Sequence, residues 1–319
     1  MNLAKAKAPT RRAFSERLVE LGSVRDDFAV FESDIGRSTY SYLFSDKFPE
    51  RYFNMGIAEV ATMAAACGMA SQGRTALVCG YGVFLSMRAL EIVRSFACYP
   101  NLDVKILSSH GGLTAAIDGV THQATEDIAF MSTLPNMKVL VPADCRAARA
   151  AADIAFATKG PVFTRLMRDP LFDLYGEQEE FRLGGSKTLR KGRDVVIAAY
   201  GDMVFQSLLG AETLAAEGIE AEVMDLYSVK PWDERAVLEA ARRCGALLVV
   251  ENHQARNGLG YEIGVSLLKK GIYAPFDNLG LADTFAESGD YLGMINEYGL
   301  GADSVAAAAK RLVAAKKGR

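Results

Sequence analysis

The sequence predicts an α/β protein of two tandem domains, each a mostly parallel sheet flanked by helices. Three observations predict it. From residue 11 to residue 166, short apolar runs alternate with longer segments of helical spacing, the rhythm of strand–helix units. Residues 171–186 then break the rhythm with Asp, Glu and Gly and little periodicity, as a linker does. A second strand–helix series starts at residue 195. The 319 residues, half of them apolar, suffice for two cores. Domains of residues 1–180 and 181–319 are expected.

Taken in order, residues 11–21 have helical spacing, with Phe14, Leu18 and Leu21 on one side. Residues 28–32 read as a strand running into the polar loop 33–38. Residues 47–54 lead through Asn54, Met55 and Gly56 to a helix over 58–70. This helix is almost entirely Ala, Met and Val, a composition that packs closely on nearly every face. Strand 75–79 is followed by a loop punctuated by Gly80 and Gly82, then by one helix over 84–97 that stops before Pro100. Strand 103–108 ends at Ser109-His110-Gly111-Gly112. A long loop reaches Gln123, and helix 124–131, strand 138–141, helix 145–157 and strand 161–166 complete the first series. The second series reads as strand 195–199, helix 204–216, strand 221–226, helix 233–243, strand 246–250, helix 261–270, strand 275–279 and a closing helix from Ser304. No low-complexity segment or short-period repeat is present.

Composition narrows the function classes. A formal net charge of −3 and the lack of a long basic stretch argue against nucleic acid as a partner. The five cysteines, Cys67, Cys79, Cys98, Cys145 and Cys244, are widely spaced and form no CxxC. They fit a reducing cytoplasm better than a disulfide framework or a structural zinc site. No signal peptide or membrane-length apolar run is read, so a cytoplasmic protein without a membrane partner is expected.

Glu59 is the acid that stands out, alone at the start of the small-residue helix. It reads either as a solvated carboxylate favoured by the helix N-terminus or as a buried acid of raised pKa that passes a proton to a ligand. His110, Asp118 and His122 share one glycine-rich loop after a presumed parallel strand, where α/β sheets bind ligands. Imidazole with a nearby carboxylate suits hydroxyl binding or proton transfer. Unrelated structural histidines, or a metal site without recognised ligand spacing, are the other readings. Arg165 and Arg168 flank a strand end, either as an anion grip or as a surface charge pair. Arg37 and Ser38 form a similar small polar loop. Phe84 and Met87 lie one helical turn apart, more as core than as a cofactor platform. Gly258-Leu259-Gly260 suggests a dinucleotide turn, but Ile263 occupies the third glycine position and the preceding strand ends too far upstream. Neither a phosphate-loop GxxxxGK[ST] nor a GxSxG elbow occurs.

The segments RYFNMGIAE, SSHGGL…DGVTHQ, LPNMKVLVPAD and GPVFTRLMR resemble the pyrimidine-binding half of the thiamine-diphosphate-dependent transketolases. GDM, DLYSVKPWD, ENHQARNGLG and DTFAESG are similar to the C-terminal domain of that family. The resemblance covers nearly the whole chain. The GDG…N segment with which the family holds the cofactor diphosphate and its divalent metal does not occur. The resemblance therefore implies the C-terminal subunit of a split transketolase, active only with a separate N-terminal subunit. That partner would supply most of the site for Mg2+ or Ca2+. Self-association through the pyrimidine-binding domain, as an α2β2 heterotetramer, is also implied.

Residue by residue, the resemblance implies that Glu59 bonds the aminopyrimidine ring. It implies that His110 and His122 contact substrate hydroxyls and carbonyl, and that Asp118 contacts a donor-sugar hydroxyl. Arg168 would grip a phosphate, with Ser38 and Arg11 as weaker contributors. Phe84, Met87 and Leu90 would line the pyrimidine pocket, Met87 and Leu90 standing where the family has aromatics. Ile117 stands where the family has an acid. The implied reaction moves a two-carbon ketol unit from a ketose, phosphorylated in most of the family, to an aldose. Rival readings are the β subunit of a 2-oxoacid dehydrogenase, which lacks the THQ loop pattern, a deoxyxylulose phosphate synthase, and a non-catalytic partner subunit.

Overall fold

The computed structural model describes residues 4–317, so residues 1–3 and 318–319 of the two expected domains lie outside it. Among the described residues, twelve strands form two sheets. In the first, β1 (Phe28–Glu32), β2 (Tyr52–Asn54), β3 (Thr75–Tyr81), β4 (Val104–Ser109), β5 (Lys138–Leu140) and β6 (Val162–Arg165) run parallel, in the order β5-β6-β4-β3-β1-β2. The second begins with β7 (Lys187–Arg190), β8 (Val195–Ala199) and β9 (Ala221–Asp225). β10 (Ser228–Lys230) then crosses to the first sheet and pairs antiparallel with β5 at its edge. β11 (Leu247–Gln254) and β12 (Phe276–Leu281) complete the second sheet, in the order β12-β11-β8-β9-β7, with β7 antiparallel to β9. Both sheets are thus mostly parallel and flanked by helices, as expected.

β1, β4, β8 and β9 are buried at every position, because helices cover both faces of each sheet. On one face of the first sheet, Phe14 and Leu18 of helix Thr10–Val24 and Phe156 of helix Cys145–Ala157 pack on Phe28, Leu77 and Leu107. On the other face, Met63, Ala66, Val78 and Ile106 belong to a core that continues into Val196, Tyr200 and Met224 of the second sheet. The linker is pinned as well. Asp144 Oδ1 accepts from the Ala147 amide, capping helix Cys145–Ala157, a contact worth about 1 kcal/mol. Asp144 Oδ2 accepts from the amides of Leu174 and Tyr175 at 2.8 and 2.9 Å.

Three differences from the expected elements bear on the site. The single helix expected over 84–97 is instead two π-helical stretches, Phe84–Arg88 and Val93–Cys98, around a short α-helical turn Leu90–Ile92. A π turn holds an extra residue and re-aims its side chains, and such turns favour functional sites. Here Leu85 and Ser86 point inward while Met87 and Arg88 face outward. Gly80 makes the turn possible: a Cβ there would lie 2.8 Å from Leu85. The helix expected at 124–131 is Asp127–Thr133, because Ala124 is occupied in bracing the preceding loop. Helix Glu59–Ala70 is not enclosed on every side: Ile57, Val60, Ala61, Ala64 and Gly68 form an exposed apolar face. The five cysteines are free thiols. No helix among the described residues is long and apolar enough to cross a membrane.

Candidate functional site

The candidate residues gather along the carboxyl ends of neighbouring parallel strands. Arg168 follows β6, His110 follows β4, Tyr81 ends β3, and Ser38 lies in the turn after β1. Glu59 follows β2 after the four-residue segment 55–58, as the first residue of its helix. In a parallel sheet these strand ends are the edge where loops are free to converge on a ligand.

Glu59 is buried, at 5% exposure, among residues with no other acid in the same turn. Its Oε2 accepts from Arg88 Nη1 at 2.8 Å, and the Arg88 side chain is itself 52% exposed. The Arg88 guanidinium lies over the Phe84 ring, 4.5 Å from its centroid. Phe84 meets His122 edge-on at 5.4 Å. Tyr81 is the hub: its ring contacts Phe84, His122 and His110, the last at 4.3 Å, and its hydroxyl donates to Ser38 Oγ at 2.9 Å. Arg11 Nη1 donates to the carbonyl and hydroxyl oxygens of Ser38 at 2.6 and 3.1 Å. Beyond His110, one Asp118 oxygen lies 3.6 Å from His110 Nε2 and 3.6 Å from Arg168 Nε. A continuous string of contacts therefore runs from Glu59 to Arg168, with Ser38 and Arg11 branching from Tyr81.

The electrostatics of this string are set by burial. His110 is 1% exposed. Burial, together with Arg11, Arg168 and His122 nearby, pushes its imidazole down to about 2, so the ring is neutral. The tautomer that suits both neighbours carries its proton on Nε2, facing Asp118, and accepts at Nδ1 from the Ser109 hydroxyl at 2.5 Å. Arg11 is pushed below the usual guanidinium range by burial and by Arg168, and its Nε is buried without a partner. Two cations close enough to oppose each other favour an anion that lands between them. His122 is half-buried, its Nδ1 within 3.0 Å of Thr121 Oγ1.

Eight of the ten candidate positions thus lie on one string. Met87 shares the turn of Phe84 and is 40% exposed, whereas Leu90 packs against the core. Tyr81 and Arg88 were not singled out in the sequence. The only local signal was the placing of Tyr81 between two glycines at a strand end. Arg165 is not an anion grip. It is 3% exposed, pairs with buried Asp127 at 3.1 Å, and donates from Nη2 to the carbonyls of Ala124 and Asn252. The third histidine, His253, is also structural: its Nδ1 donates to the Gln254 carbonyl and its Nε2 accepts from the Ala129 amide. The Gly258-Leu259-Gly260 turn offers its amides to the Glu251 carboxylate, at 2.7 and 2.9 Å from Leu259 and Gly260. An internal acid therefore occupies the place a nucleotide phosphate would take. Among the described residues, no group of three or more His, Cys, Asp or Glu could hold a metal ion.

Residues 6–172 match the profile described as the transketolase pyrimidine binding domain, and residues 184–305 match the transketolase C-terminal domain. The chain is 34% identical to a putative transketolase C-terminal section of Methanocaldococcus jannaschii, over 93% of each chain. It is 35% identical to a 6-deoxy-6-sulfo-D-fructose transketolase subunit of a Clostridium species, over 97% of this chain and 96% of that one. Among solved structures it is similar to one described as a split gene transketolase, inactive beta4 tetramer. That similarity has a TM-score of 0.90 and 39% identity, over 97% of this chain and 99% of the other.

Proposed function

Because the chain belongs to the transketolase family, we propose that it is the C-terminal subunit of a two-chain, thiamine-diphosphate-dependent transketolase. It moves a two-carbon ketol unit from a phosphorylated ketose to an aldose, and it is active only with a separate N-terminal subunit. The observation that carries the reading is the contact string from Glu59 to Arg168 with its Arg11 branch, which ranges a carboxyl, two imidazoles, an acid and three guanidiniums along one strand edge. The division of the chain near residue 180 belongs to the same reading.

The residues present fit the aminopyrimidine end of thiamine diphosphate. Glu59 offers a buried carboxyl, and Phe84 with the exposed Met87 offers an apolar wall on the adjoining π turn. Leu90 backs that wall from the core side. The diphosphate and its Mg2+ or Ca2+ are assigned mainly to the N-terminal subunit, in keeping with relatives that are themselves named as a section and a subunit and that match almost end to end. The split-gene structure, described as an inactive beta4 tetramer, supports both the need for a partner and self-association. We place that self-association in the pyrimidine-binding domain, within an α2β2 assembly.

When bound, thiamine diphosphate supplies the electron sink for breaking the carbon–carbon bond of the ketose. Glu59 would bond the pyrimidine ring nitrogen through its buried carboxyl, whose Oε2 now accepts from the half-exposed Arg88. Neutral His110 donates from Nε2 to a substrate oxygen, with His122 also edge-on to the Tyr81 ring. Asp118 accepts from a donor-sugar hydroxyl. Arg168 and Arg11, the latter held through Ser38, grip the anionic end. Glu59→Gln keeps the size of the side chain and removes its acid. In the complex with the N-terminal subunit it is expected to lower ketol transfer at least about 10²-fold, the lower end of the range for a lost acid–base group. Activity retained within a few-fold would refute the assignment.

A further inference from the structure

The loop that carries His110, Asp118 and His122 has little regular structure to hold it. His110 and Ala116 sit at φ +63° and +54°, left-handed values that cost non-glycine residues about 1 kcal/mol or more each. Something must over-determine this path. Gly112 also has positive φ, and a Cβ there would come within 2.5 Å of the Asn252 side chain. The next amide, Leu113 N–H, donates to Asn252 Oδ1 at 2.9 Å. Asn252 lies on β11, in the second domain, and is fully buried. Its Nδ2 donates to Asp202 Oδ2 at 2.6 Å, and the Tyr291 hydroxyl donates to the same oxygen at 2.5 Å.

We propose that Asn252, oriented by Asp202 and Tyr291, is a positioning residue that fixes the substrate loop from the second domain. The argument is one of donor and acceptor matching. A carboxylate only accepts, so Asp202 requires the amide nitrogen of Asn252 to face it. The amide oxygen is thereby turned to Leu113. Flipping the side chain would set an acceptor against Asp202 and a donor against the Leu113 N–H, and both mismatches would be buried. Tyr291 supplies the second donor to Asp202 Oδ2. The second domain thus sets the height of the turn from which His110 and Asp118 project. This inference rests on the transketolase reading only for what the loop binds.

The test is a polarity swap. Asn252→Asp keeps the acceptor for Leu113 but puts two carboxylates in contact. In the complex with its N-terminal subunit, kcat/KM for the ketose should fall about 10²-fold, as for a small misplacement of substrate-binding groups. Thiamine diphosphate affinity, set at the Glu59 end and by the N-terminal subunit, should stay within about twofold. Adding Asp202→Asn restores one donor and one acceptor across the contact, and should recover kcat/KM to within about threefold of the parent. Hydrogen exchange at the Leu113 amide reports the same geometry without any turnover. It should quicken in the single variant and slow again in the double. Because this readout needs no activity, its failure is separate from failure of the transketolase assignment. Should Asn252→Asp not fold, Tyr291→Phe removes one donor to Asp202 and should cost about tenfold in kcat/KM, the lower end of the worth of one hydrogen bond to a charged group. A folded variant of either kind with parental kcat/KM and parental Leu113 exchange would overturn the proposal. A double variant no better than the single would do the same.

Discussion

Individual side chains here do work that their type alone does not announce. His110 could have been a base poised near neutral pH, yet burial and the neighbouring Arg11, Arg168 and His122 hold it neutral, at about 2 against an ordinary 6.5. Its use is therefore directional hydrogen bonding rather than titration. The sign of the linkage follows. As pH falls below 6.5 the unfolded chain takes up a proton that the folded chain refuses. The contribution of His110 to stability is thus complete above pH 6.5 and shrinks as pH falls toward 2. Urea unfolding of the parent and His110→Asn, compared at pH 8 and pH 5, should show the parent losing more stability on acidification than the variant. Equal losses would mean that folded His110 charges like a solvent-exposed imidazole. Arg165 makes the complementary point. Its residue type suited an anion grip, but its ion pair with Asp127 and its bonds to Ala124 and Asn252 make it a brace between the domains. The sequence showed that Arg165 and Arg168 stand near a strand end. It could not show that one points into the protein and the other toward the site.

At the scale of elements, the strand–helix alternation and the linker were legible because the buried strands are predominantly apolar and each helix has its own spacing. β2, β7 and β10 were not, being three or four residues long and lying at or near sheet edges. The transfer of β10 to the first sheet is decided by tertiary pairing with β5 and leaves no local trace. The π turns of 84–98 carry an ordinary helical composition, and their departure depends on the space that Gly80 leaves for Leu85. Helix Glu59–Ala70 teaches a further lesson. Its small residues on two sides were read as packing on nearly every face, yet Ala64 is exposed and a Cβ on Gly68 would meet nothing within 4 Å. If this face joins a second copy, Ala64→Arg should change the stability of the single chain by no more than about 0.5 kcal/mol, as surface changes do. It should nonetheless abolish self-association in sedimentation velocity. An unchanged sedimentation coefficient would move the self-interface elsewhere on the molecule.

For the whole molecule, the two domains share one packed interior. A single core passes between the sheets, β10 belongs to the first sheet while its neighbours in sequence belong to the second, and Asn252 reaches from the second domain to the loop that carries His110, Asp118 and His122. The motifs that resembled transketolases were legible because their residues are close in sequence. Tyr81 and Arg88, which join those motifs into one site, were not, because their partners lie far along the chain. The central claim is that this joined surface is half of a catalytic site. Its most direct test is a ketol-transfer assay of the purified chain with thiamine diphosphate and Mg2+, with and without its co-expressed N-terminal subunit, against a panel of phosphorylated and sulfonated ketoses. Turnover is expected only when both subunits are present. Turnover of a ketose by the purified chain alone would contradict the claim.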